Sequence, residues 1–137
     1  MLGPLLPEAE REAAVRRAAD LPAVTLREFD GDFPAAAAAA DVLVSMGGYN
    51  SLCEAAWLGK RAVVVPRLPG PEEQVLRARR FEGQGLVTTV DPRHLSPQSL
   101  WSAILEELGA GQSRAATLPF GGDAAIVDAL VRAASEA

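Results

Sequence analysis

Apolar positions along the chain fall into two kinds of run, and they alternate. Residues 41–45 (DVLVS) and 61–66 (RAVVVP) are short, β-branched and almost wholly apolar, the pattern of parallel strands covered on both faces. Residues 23–29 (AVTLREF) alternate like a strand, and 86–90 (LVTTV) read as another. Between them lie helical stretches: 7–20, with Pro7 in the first turn and Glu8 and Glu10 at the favourable end of the dipole; an alanine-rich 33–40; 51–58, stopped by Gly59; 71–83; 97–108; and 123–136. The DPRHLSP segment before 97–108 reads as a turn, and a glycine-rich loop separates the last two helices.

Strands alternating with helices predict an α/β fold, a Rossmann-like doubly wound parallel sheet with helices on both faces. No repeat or linker divides the chain, so residues 1–137 are expected to form one domain. Ligands of such sheets bind beyond the carboxyl ends of the strands. That rule gathers 29–33, 45–51 and 67–74 on one rim.

Composition narrows the partners. A net charge of −5 argues against DNA or RNA, and Arg77, Arg79 and Arg80 share their helix with Glu72, Glu73 and Glu82, which reads as a solvated face. The single cysteine, Cys53, excludes an intramolecular disulfide and a cysteine-type zinc site; beside Leu52 it reads as a small core residue. No apolar segment approaches the roughly 18 residues of a membrane span, and the start, MLGPLLPEAER, does not read as a signal peptide. A cytoplasmic location is expected. One lysine against twelve arginines, with abundant alanine, points to a GC-rich bacterial source.

The chemistry concentrates at Ser45 to Glu54, S-M-G-G-Y-N-S-L-C-E. Ser51-x-x-Glu54 has the form of a capping box, with Gly47 and Gly48 merely turning the chain from strand to helix. The same geometry also suits a phosphate: a helix N-terminus offers free N–H groups and partial positive charge, and glycines permit close approach. Asn50 and Ser51 would add hydrogen bonds, and Glu54, one turn in, could accept from both hydroxyls of a ribose. Spacing alone leaves the two readings open.

This stretch resembles the donor-site signature of nucleotide-sugar glycosyltransferases of the GT-B fold. Plant UDP-glycosyltransferases carry T-H-C-G-W-N-S-x-x-E, matched here at Gly48, Asn50, Ser51 and Glu54, with Tyr49 for Trp. The strand ending in Pro66, followed by Glu73-Gln74, resembles the acidic residue plus Gln that hold sugar hydroxyls, with spacing closer to the bacterial family 28 glycosyltransferases. Upstream, R-E-F-D-G-D-F resembles that family's loop at the nucleobase. The resemblance covers about residues 20–95. It implies Gly47, Gly48, Asn50 and Ser51 at the diphosphate, Glu54 at the ribose, Phe29 and the Asp30 backbone at the base, and Glu73 and Gln74 at the transferred sugar. It also implies a UDP-sugar as substrate, no essential metal and no cofactor. Met46 stands where the plant pattern has His; the bacterial branch needs none there.

The resemblance begins late. The G-P-L-L-P start is similar to the end of the second strand of a GT-B C-terminal domain, so two strands, a first glycine loop and the acceptor-binding half with its catalytic base are expected elsewhere, on an N-terminal domain or a partner chain. Strand 23–29 would then move beside 41–45, or a second copy would pair there as a homodimer. The expected function is donor binding in transfer of a hexose or N-acetylhexosamine to an acceptor hydroxyl. The alternatives are a nucleotide-sugar hydrolase or 2-epimerase of the same fold, and a noncatalytic nucleotide-binding module. Asp30-Gly31-Asp32 reads as a turn before a metal site, and His94, the only histidine, as a solvated loop residue. Arg67 could pair with donor phosphate, although a surface salt bridge is the simpler role.

Overall fold

The computed structural model describes residues 2, 6–27, 33–68, 72–110 and 132. The chain divides into two compact units, Met1–Ala36 and Ala37–Ala137.

In the first unit, α1 (Glu8–Ala19) follows Pro7, which stands at the N-cap. Glu8 and Glu10 open the helix, Arg16 and Arg17 close it, and both pairs complement the dipole. Arg16 also reaches back one turn to Glu12 at 3.3 Å. None of its residues is buried. The expected strand over 23–29 is not found: residues 22–23 form a turn and 24–27 are irregular, while 28–29 lie outside the described residues. The backbone groups here go elsewhere, Val24 N–H to Leu21 C=O at 2.9 Å and Leu2 N–H to Arg27 C=O at 2.8 Å. A turn that takes the Val24 amide cannot also lend it to a ladder.

α2 (Phe33–Ala39) spans the division between the units. The second unit then runs β1 (Val42–Ser45), α3 (Tyr49–Trp57), β2 (Arg61–Val64), α4 (Glu72–Gly83), β3 (Thr88–Thr89), a single 3-10 turn at Pro92–His94, and α5 (Pro97–Gly109). The expected helix 123–136 lies outside the described residues, apart from helical Arg132. The strands form one parallel sheet in the order β1-β2-β3. Val42 pairs with Arg61 and Ser45 with Val64, so the two ladders end level at the rim. Pro66, fully buried just beyond, has no N–H with which to extend β2. Among the described residues β1 is an edge strand.

Side-chain alternation along β2 splits the core in two. Ala62 and Val64 pack with Leu52 and Ala55 of α3 and Ala78 of α4; Val63 packs with Ala103 of α5 on the opposite face. Helices therefore cover both faces, as the apolar strand pattern requires. β3 is shorter than the expected 86–90, because Leu86 N–H turns back to Phe81 C=O through Gly85, at φ 71°. α5 carries a Ser96/Ser99 capping box. At its other end Arg61 donates to the carbonyls of Glu107 and Leu108, satisfying helix-end acceptors.

Candidate functional site

The rim at the carboxyl end of β1 is built by two glycines with different reasons to be there. Gly47 turns the chain at φ 75°, and a Cβ would lie 2.8 Å from Val64 Cγ1. Backbone sign and packing both require glycine. Gly48 has φ −58°, and a Cβ there would meet only Ser51 Oγ, at an ordinary 3.9 Å. Nothing in the fold demands a bare backbone at Gly48.

The expected capping box does not form. Because Gly47 redirects the chain early, α3 begins at Tyr49, with Gly48 as N-cap and no side-chain cap. Leu52 N–H makes the first helical bond, to Gly48 C=O at 3.0 Å. Ser51 is thus the third helical residue, and Glu54 is in the second turn, past the position from which a cap could be formed. The amides of Tyr49, Asn50 and Ser51 precede the first helical bond and face the rim uncapped. Asn50 is exposed, while Ser51 and Glu54 are half-buried.

α4 brings the second group. Gln74 heads the inward stripe that continues through Ala78 and Phe81, and its Oε1 is buried without a hydrogen-bond partner among the described residues. Glu73, one step round the helix, is turned outward and paired with Arg77. Arg77 in turn lies over the Tyr49 ring, 5.2 Å from its centroid. Tyr49, Arg77 and Glu73 therefore link the start of α3 to the start of α4. Arg77 is only 20% exposed, so the reading of a wholly solvated arginine face fails at this residue. Its i,i+4 spacing to Glu73 was visible in sequence; its reach to Tyr49 required the fold.

Tyr49 also hydrogen-bonds with Cys53, which raises the phenol above its ordinary value, while the Arg77 charge acts the other way. Cys53 is half-buried and touches the rim through this contact; it is not simply a core residue. Arg67 is exposed just past β2, with no ion pair among the described residues to match the expected salt bridge. His94 is 82% exposed and lies 3.6 Å from Asp91. Phe29, Asp30 and the 30–32 turn lie outside the described residues. Among the described residues no cluster of three or more His, Cys, Asp and Glu side chains could hold a metal, and no helix is long and apolar enough to cross a membrane.

A cavity of about 780 Å³ opens where β2 and β3 end, with Pro66, Leu68, Glu73, Leu76 and Thr89 on its walls. The glycine loop and Gln74 are not part of it. Of the ligand-contacting residues proposed from sequence, only Glu73 faces this space.

A parallel sheet with helices on both faces and a glycine-led helix at its rim defines a Rossmann-like class of domain. Residues 7–118 match the Glycosyltransferase family 28 C-terminal domain, and the chain belongs to that family. It is 32% identical over 100 residues to a Rubrobacter xylanophilus protein named UDP-N-acetylglucosamine--N-acetylmuramyl-(pentapeptide) pyrophosphoryl-undecaprenol N-acetylglucosamine transferase, covering 72% of this chain and 30% of that protein. Proteins of the same name from Clostridioides difficile and Paenarthrobacter aurescens are 33% and 40% identical over 57% and 50% of this chain, and 19% and 18% of theirs. The chain thus spans less than a third of each relative's length.

Proposed function

We propose that this chain binds the nucleotide-sugar donor of a glycosyltransferase, a UDP-sugar, with its diphosphate on the N-terminus of α3. The observation that carries the reading is Gly48: an N-cap without a side chain, at a position where the fold would accept one. A Ser or Asp there would occupy the helix amides itself. Glycine leaves the Tyr49, Asn50 and Ser51 amides for a ligand, and the Asn50 and Ser51 side chains add donors beside them. The relatives' names, which specify a UDP-sugar donor, support the nucleotide.

In this reading the amides and the helix dipole stabilise negative charge that grows on the diphosphate as the bond to the anomeric carbon breaks. Glu54, free of any capping duty, takes the ribose hydroxyls, and Phe29 and Asp30 take the base. Glu73 and Gln74 hold the transferred sugar; Gln74 Oε1 has no hydrogen-bond partner among the described residues. Arg67, exposed and without an ion pair among the described residues, would pair with a phosphate oxygen. The acceptor and the catalytic base belong to an N-terminal domain or partner chain.

Isothermal titration with UDP tests this. Asn50→Ala combined with Ser51→Ala should weaken binding by about 1–3 kcal/mol, the scale of lost hydrogen bonds to a charged group. Unchanged affinity in a folded double variant would remove the diphosphate from this helix.

A further inference from the structure

The two residues assigned to the transferred sugar differ in what fixes them. Gln74 is half-buried on the inward stripe of α4, so packing sets its place. The Glu73 side chain, in the first turn of the same helix, is 71% exposed. An exposed carboxylate has rotamer freedom to lose when it grips a ligand, and that loss weakens binding. Glu73 has a partner that removes this freedom in advance: Arg77, one turn on, donates from Nη2 to its Oε1.

Most i,i+4 ion pairs on a helix surface contribute little, because two long side chains must be ordered to make them. Arg77 is ordered by something else. Its side chain is only 20% exposed, and its guanidinium lies over the Tyr49 ring, 5.2 Å from the centroid, within cation–π range. The phenol is tied in turn to Cys53, one turn along α3, by a hydrogen bond. The backbone before it is set by Gly47, whose φ of 75° and close approach to Val64 fix where α3 begins. Glu73 is therefore oriented from α3, the helix assigned to the diphosphate, as well as from its own helix. A carboxylate offers about four acceptor positions, so one bond from Arg77 leaves room for a sugar hydroxyl.

We propose that Arg77 is a positioning residue for the donor sugar: seated on the Tyr49 ring, it holds the Glu73 carboxylate ready for a sugar hydroxyl. It thereby favours the sugar part of the donor over the bare nucleotide. The inference rests on the donor reading, in which Glu73 meets the sugar and the amides of α3 meet the diphosphate.

Calorimetric titration of the 137-residue chain tests it, with UDP, UDP-glucose and UDP-N-acetylglucosamine as ligands. The quantity read is the ratio of the better UDP-sugar's affinity to that of UDP, which isolates the sugar. Arg77→Met should lower this ratio about threefold to tenfold, the scale of ordering one long side chain. Tyr49→Leu, which takes away the arginine's seat, should lower it in the same direction. On a Glu73→Ala background neither substitution should lower it further, because the group being positioned is gone. Circular dichroism melts establish that the variants are folded, and either one of Arg77→Met and Tyr49→Leu suffices if the other is not. The proposal is overturned if the ratio holds in these variants, including by an equal loss of both ligands, or if it falls as far on the Glu73→Ala background. Absence of UDP binding by the parent chain would defeat the donor reading and the proposal with it. UDP binding with an unmoved ratio would defeat the positioning role alone.

Discussion

The guanidinium of Arg77 lies over the ring of Tyr49, 5.2 Å from its centroid, so the first residue of α3 is held against the second turn of α4. The contact can be read directly, because Tyr49 is the only tyrosine in the chain. Its phenol is pushed up chiefly by the hydrogen bond to Cys53, and Arg77 opposes that rise. Removing a cation that favours the phenolate must raise the value further; removing Cys53 must lower it. In a phenolate absorbance titration, Arg77→Met should therefore move the midpoint to higher pH, and Cys53→Ala to lower pH. Shifts in the same direction for both variants would refute the contact.

Gly47 and Gly48 should answer to substitution with opposite signs. Gly47→Ala puts a side chain at φ 75° and a Cβ 2.8 Å from Val64 Cγ1, and should destabilise the fold by about 1–3 kcal/mol. Gly48→Ser supplies the missing cap and should raise stability by a few tenths of a kcal/mol. Under the proposed function the same serine occupies the helix amides, so UDP affinity should fall although the protein is more stable. Denaturant melts and calorimetry on the two variants separate these effects. A Gly48→Ser protein that binds UDP as well as the parent would show the terminus is not the anion site.

The apolar runs were enough to place β1, β2 and the helices flanking them, because short β-branched runs bounded by turn residues favour strands over helices. The expected burial on both faces holds for β2 but not for β1, where Val44 is exposed. The pattern misled at 23–29, where alternation was real but a turn took the Val24 amide. The motif likewise located the glycine loop but not its geometry. Ser51-x-x-Glu54 reads as a capping box whenever the helix begins at Ser51, and only the left-handed Gly47 starts it two residues earlier. Tyr49 against Arg77, and the cavity beyond Glu73, depend on how α4 sits beside α3, which no local spacing encodes.

Glu107 of α5 offers a test of the opposite face of the sheet. Its side chain is buried, 2% exposed, and Oε1 accepts from Thr88 Oγ1 at 2.5 Å. Thr88→Val removes that donor with little change of shape and leaves a buried carboxylate oxygen unpaired. It should cost about 1–3 kcal/mol. Glu107→Gln, which no longer carries the charge, should lessen the penalty when combined with Thr88→Val. Additive losses in the double-variant cycle would mean the two groups do not interact.

Glu54 is the residue whose role the structure changes most. A capping Glu would contribute to helix stability and be indifferent to ligand; here α3 starts too early for it to cap, so its conversion to Gln should barely move the melting temperature. If it instead receives the ribose hydroxyls, Glu54→Gln should weaken UDP binding roughly tenfold, about 1.4 kcal/mol, in keeping with a hydrogen bond to a charged acceptor. The sugar itself supplies the control. UDP lacking both ribose hydroxyls should bind the parent protein about as weakly as UDP binds the variant, and the variant should no longer distinguish the two nucleotides. That loss of discrimination is the specific expectation, since a general disturbance of the helix would weaken both ligands alike. Calorimetric titrations of the two proteins with the two nucleotides complete the cycle, and a variant that still prefers the intact ribose would assign those hydroxyls to another residue.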